Sequence, residues 1–156
     1  MTELSPKDAC DLLDADHIAV KHLFVEYARL AMAAPAAAAD REPIARKICT
    51  ELTVHAQIEE EIFYPALREV VDDSSLLDEA EAEHQQAREL IAQIEGAQPG
   101  PALDELVATL ARAIEHHVKE ERDDLFPKAR SAPDLDLDAL GARLRERQQE
   151  LEAAAA

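Results

Sequence analysis

The chain of 156 residues has no tryptophan, only three glycines, two cysteines and five aromatic residues. Basic residues are scarce as well: 16 Lys and Arg stand against 34 Asp and Glu, for a net charge of −18. Nucleic-acid binding depends on Lys and Arg neutralising phosphates, so this balance argues against DNA, RNA and anionic membranes as partners. No apolar run approaches the ~20 residues of a membrane span. The opening residues, MTELSPKDACDLLDAD, carry acids where a secretory signal needs a charged start followed by an apolar stretch, which predicts a cytoplasmic protein. Runs of β-branched residues, the mark of strands, are missing too.

What is abundant is alanine, at 31 residues. Alanine adds little burial but is the best helix former. The length fits one domain able to build a core without staples. Turn formers cluster only at Pro35 with Asp40 to Pro43, at Val71 to Ser75, at Gly96 to Pro101 and at Ser131 to Asp134. They leave helices over about 6–34, 43–71, 75–96 and 102–130, started by Ser5-Pro6, Pro43, Ser74/Ser75 and Pro101. The expected fold is all-α, an up-down-up-down four-helix bundle over 1–133 with a short additional C-terminal helix over 134–156. In that tail Leu137, Leu140, Leu144 and Leu151 share one face, suited to packing on the bundle or to a protein partner.

Walking three and four residues at a time gives an apolar stripe on each helix. Each stripe is interrupted near its middle by a histidine: His17, His55, His84 and His117. Helices 2 and 4 add a glutamate one turn on, Glu59 and Glu121. In an up-down bundle these mid-helix positions reach one level. The interruption repeats: HAQIEEEIFYP (His55 to Pro65) and HVKEERDDLFP (His117 to Pro127) share H-x3-E, an aromatic at the tenth place and a proline at the eleventh. Histidine and glutamate at i, i+4 lie on one helix face, ~6 Å apart along the axis. A lone histidine on an apolar stripe is most often an ordinary core residue. Four at one level with two glutamates are not, because a buried unpaired carboxylate costs several kcal/mol. The pattern points to metal binding, with glutamates able to bridge two ions ~3.5–4 Å apart. Imidazole and carboxylate ligands without thiolate suit iron or manganese better than zinc.

The series H…H-x3-E…H…H-x3-E, carried by His17, His55/Glu59, His84 and His117/Glu121 with its trailing aromatic-Pro, resembles the hemerythrin-like (HHE cation-binding) domains over about residues 6–130. The resemblance implies two non-haem iron ions with an oxo or hydroxo bridge, terminal histidines, two bridging glutamates and a position open to a small ligand such as oxygen, nitric oxide or peroxide. Carriage, scavenging or sensing is the function it implies first; a di-iron enzyme or iron-handling protein that removes peroxide, oxidises iron or donates it for cluster repair is the alternative. Oxygen-carrying relatives place a further histidine one turn from the helix-3 ligand, where this chain has Ala80 and Arg88. Water or Glu81 is expected to take that place, and the small Ala80 and Ala87 predict open space toward helix 3.

Other residues are expected to stand aside. His22 lies off the stripe and His116 is out of register with the repeat. Cys10 and Cys49 fall at opposite ends of antiparallel helices, ~20 Å apart along the axis, beyond reach of a disulfide. Tyr27, Tyr64, Phe24, Phe63 and Phe126 are read as packing residues, Tyr64 pointing off the core stripe, and Asp124 as a partly exposed ion-pair former.

Overall fold

The computed structural model describes residues 8–155, and among them every regular element is helical. Helix α1 spans Ala9–Ala33. Its expected start at Ser5-Pro6 lies outside the described residues; the cap is Asp8, whose carboxylate accepts from the amide of Asp11 at 2.9 Å. Helix α2 is α-helical over Ala38–Ile58, makes one π-helical turn over Glu59–Phe63 and resumes over Tyr64–Arg68. Helix α3 spans Ser75–Glu95. Helix α4 repeats the plan of α2, with Pro101–Glu120, a π-helical turn Glu121–Leu125 and an end Phe126–Ser131. Helix α5 spans Leu137–Ala155.

Helix α2 begins earlier than Pro43 predicts, and Pro43 sits inside it. The alanines at 36–39 favour helix. The segment is also anchored by Arg41, which is buried, donates to both oxygens of Asp104 at 3.0 and 2.7 Å and to the carbonyls of Ala34 and Pro35. Tyr27 completes this lock, its hydroxyl donating to Asp104 at 2.6 Å.

The helices neighbour one another in a ring, α1 on α2 and α4, α3 on α2 and α4, while α5 lies across α1 and α2. The apolar interior falls into two clusters. One, around Leu13, Phe63, Leu77 and Phe126, takes in Leu140 and Leu144 of α5. The other, around Val20, Ile48, Ile91 and Leu110, fills the opposite half. Between them lies a single polar layer.

Candidate metal centre

His17, His55, His84, His117, Glu59 and Glu121 are all buried, Glu59 and Glu121 completely. They meet in that layer. The imidazoles pair, His17 with His55 at 4.9 Å between ring centroids and His84 with His117 at 4.7 Å. The glutamates run between the pairs. Oε1 of Glu59 is 3.3 Å from Nε2 of His55 and 3.1 Å from Nε2 of His84. Glu121 reaches Nε2 of His17 with Oε1 at 2.9 Å and Nε2 of His117 with Oε2 at 3.5 Å. Two sets of donor atoms converge closely enough to hold an ion each: His17, His55, Glu59 and Glu121, and Glu59, His84 and His117.

The orientation of the rings is set from outside the layer by four carboxylates that sequence reasoning missed. Nδ1 of His55 faces Oδ2 of Asp16 at 3.0 Å, Nδ1 of His84 faces Oε2 of Glu60 at 2.6 Å, and Nδ1 of His117 faces Oε1 of Glu83 at 2.7 Å. Nδ1 of His17 has a longer contact, 3.4 Å, with Oδ1 of Asp14. A carboxylate only accepts, so each Nδ1 carries a proton and each Nε2, the atom left for a metal ion, points inward. Asp16 and Glu83 immediately precede His17 and His84, and Glu60 follows Glu59. Adjacency of an acid to a site residue was the available signal, but acids are too common in this chain for it to stand out.

Inside the layer the accounting does not close. Nε2 of His17 and His55, Oε2 of Glu59 and Oε1 of Glu121 are buried with no hydrogen-bond partner; the 2.9 Å approach of His17 to Glu121 has no hydrogen-bonding geometry. Nε2 atoms of His84 and His117 face each other at 3.2 Å. Buried polar atoms are nearly always paired, and inward-facing imidazole and carboxylate atoms of this kind are what a cation satisfies once it displaces any proton they carry. The field is strongly negative. Burial opposes charge on His55 and His117, yet the facing glutamates prevail, holding His55 well above the usual imidazole range and His117 up to about 12. Burial would also raise Glu59, but its histidine neighbours hold it well below the usual carboxylate range. The donor set therefore fits metal ions that would displace those protons.

Tyr64 contradicts its expected place. Its hydroxyl donates to Oε2 of Glu121 at 2.6 Å, with Oε1 of Glu59 at 3.3 Å and Nε2 of His84 at 3.5 Å, and its ring stacks on His84 at 5.5 Å. The reason is the π-helical turn. The amide of Tyr64 bonds the carbonyl of Glu59, five residues back, which slips the register by one residue and swings position 64 inward. Pro65 cannot donate to a carbonyl four residues back, so the wide turn suits the sequence there. The same turn before Pro127 brings Phe126 over His17, stacked at 6.0 Å.

Asp124 is exposed and makes no ion pair among the described residues; at the matching place in the other repeat Ile62 is buried, and a carboxylate with no partner there stays in water. Glu81 turns away from the layer to pair with Arg68. Arg88 stays at the flank and donates to Glu60 at 2.6 Å. His22 and His116 are exposed, and Cys10 and Cys49 are buried free thiols. On the side away from Tyr64 the four histidines face a cavity of about 20 Å³, room for one molecule of water size, walled by Val20, Leu52, Ala56, Ala87, Ile114 and Val118. Ala87 thus opens space as expected, whereas Ala80 belongs to the packed cluster on the Tyr64 side.

A bundle whose helices each send a histidine into one layer, two of them with a glutamate, defines a class. The chain belongs to the hemerythrin HHE cation-binding domain family, whose profile matches residues 8–129. Its fold is similar to the crystal structure of an HHE cation-binding domain-containing protein from Mycobacterium kansasii, with a TM-score of 0.79, 24% identity, and coverage of 96% of this chain and 90% of that one. A curated protein of Nostoc sp. named a DNA nickase is 31% identical over 86 residues, which is 54% of this chain but only 24% of that protein. No helix among the described residues is long and apolar enough to cross a membrane.

Proposed function

We propose that the chain is a non-haem di-iron protein that binds oxygen or a related small ligand, nitric oxide or peroxide, for carriage, scavenging or sensing in the cytoplasm. The observation that carries this reading is the set of four buried, unpartnered, inward-facing donor atoms on His17, His55, Glu59 and Glu121. His17 and His55 would hold one ion, His84 and His117 the other, with Glu59 and Glu121 between them. Imidazole and carboxylate donors without thiolate favour iron or manganese over zinc. Bound iron would supply reversible redox chemistry and an open coordination position. The protein's own residues do the rest. The outer carboxylates fix the rings, the apolar-walled cavity leaves one water-sized space beside the four histidines, and burial keeps bulk water away.

Turnover, as in peroxide removal or iron oxidation, is the second reading, and Tyr64 favours it. Its phenol is the one hydroxyl within hydrogen-bonding reach of the layer among the described side chains, and burial beside two glutamates holds its proton well above the usual phenol range. It can orient Glu121 and supply a hydrogen bond at the core of the site. A stable ligand-bound spectrum separates the first reading from steady-state peroxide consumption, and loss of either on Tyr64→Phe identifies which of them needs the phenol.

A further inference from the structure

Helix α5 lies beyond the residues that the family profile matches, and its inner stripe runs from the buried Leu140 and Leu144 to the half-buried Gln148 and Leu151. An amide where the pattern asks for leucine has a specific partner. Nε2 of Gln148 lies 3.1 Å from Oδ1 and 3.0 Å from Oδ2 of Asp16. Both atoms belong to a carboxylate, which only accepts, so the amide nitrogen is the donor. Oδ2 of Asp16 also accepts from Nδ1 of His55 at 3.0 Å. One turn of α5 therefore ends a continuous chain, Gln148 to Asp16 to His55, that reaches the polar layer. The neighbouring Arg147 donates to Glu61 at 2.8 Å, in the π-helical turn that also carries Glu59 and Glu60.

We propose that Gln148 is a positioning residue of the metal centre: by donating to both oxygens of Asp16 it fixes the carboxylate that orients His55. The C-terminal helix is then part of the site and not only a cover for the bundle. Asp16 is on α1 and His55 on α2, so without a third group its carboxylate is free to rotate about its side-chain torsions. Gln148 removes that freedom and leaves Oδ2 aimed at Nδ1. The lone pair of Nε2 stays inward, which is the orientation a ligand requires. The inference rests on the di-metal reading for its functional meaning but not for its geometry.

The test compares wild type, Gln148→Ala, Gln148→Glu and Leu151→Ala as full chains. Gln148→Glu keeps the shape but replaces the donor by a second carboxylate, and Leu151→Ala trims the packing of the same helix without touching Asp16. In metal-free protein, the imidazole N–H resonance of His55 should lie downfield in wild type and in Leu151→Ala, and should move upfield or broaden in both Gln148 variants. In competition with a chelator, ferrous ion should bind about tenfold more weakly to Gln148→Ala, and more weakly still to Gln148→Glu. Leu151→Ala should lower the melting temperature while leaving that affinity unchanged. An unmoved His55 resonance in both Gln148 variants, or affinity losses that follow the melting temperatures across all three, would overturn the proposal. If wild type binds no iron, the di-metal reading fails by itself, and the His55 resonance still decides this inference.

Discussion

The two H-x3-E repeats perform the same task with one chemical difference between them. Both helices widen into a π turn at the glutamate, Glu59 in one and Glu121 in the other, and both then place the tenth-position aromatic flat over a histidine from another helix. In α4 that aromatic is Phe126 on His17, which supplies only packing. In α2 it is Tyr64 on His84, which supplies the same packing and a hydroxyl bonded to the glutamate of the other repeat. The outer support differs correspondingly. Glu60 faces His84 directly, while its counterpart Arg122 acts through Asp14, which makes the longer contact with His17. Sequence symmetry thus yields a layer with a tightly supported, polar half and a more loosely supported, apolar one.

The largest effect should come from removing what the halves share. Glu59→Ala or Glu121→Ala deletes the carboxylate that spans both histidine pairs, so each variant should lose most of its metal, and with it the stability that binding to the folded state confers. His84→Ala opens a single position and should retain more. Metal content after gel filtration is the readout, and equal retention in all three variants would mean that the glutamates do not bridge.

A smaller effect is expected from the outer carboxylates, and it should be unequal. Glu60→Ala, which removes a 2.6 Å contact to His84, should weaken metal binding by about 10-fold to 100-fold. Asp14→Ala, at 3.4 Å from His17, should cost less. Chelator competition measures both, and the reverse order would contradict the ranking of the two halves.

Tyr64→Phe makes the repeats alike at the tenth place. Metal-free protein should lose about 1 kcal/mol of stability as Glu121 gives up a donor, metal content should persist because none of the six proposed ligands is removed, and whichever ligand reaction depends on the phenol should slow. Phe126→Leu at the matching place should affect stability alone.

Away from the layer, Asp104 gives a pH-dependent effect. Hydrogen bonding from Arg41 is the main cause holding its carboxyl below the usual carboxylate range, so its contribution is present above the unfolded value of about 4 and is lost as pH falls through the folded value. Asp104→Asn should flatten the decline in melting temperature below about pH 4 relative to wild type. An unchanged acid limb would show that the pair contributes no stability. The smallest effect is expected at His22 and His116, both exposed, whose replacement by alanine should leave metal content unaltered.

The stripes make the layer legible in the sequence, because one histidine per apolar face at mid-helix depth leaves few arrangements open. All six stripe residues do reach the layer, and α3 buries the whole stripe from Leu77 to Ile94. Tyr64 was not legible by the same arithmetic. A count at 3.6 residues per turn holds only while the helix is regular, and the π turn shifts every position after Glu59. The aromatic-Pro pair common to both repeats was the visible trace of that turn. Gln148 was hidden differently: it interrupts a leucine stripe as the histidines do, but in a tail whose docking partner the pattern did not specify.

The central claim is that His17, His55, Glu59, His84, His117 and Glu121 hold a pair of iron ions. Iron analysis of metal-free protein reconstituted anaerobically with ferrous ion and then desalted tests it most directly. About two irons per chain are expected, with a near-ultraviolet band on oxidation that shows the two ferric ions are linked. One tightly held zinc carried through purification and not displaced by ferrous ion, or no retained metal, would contradict it.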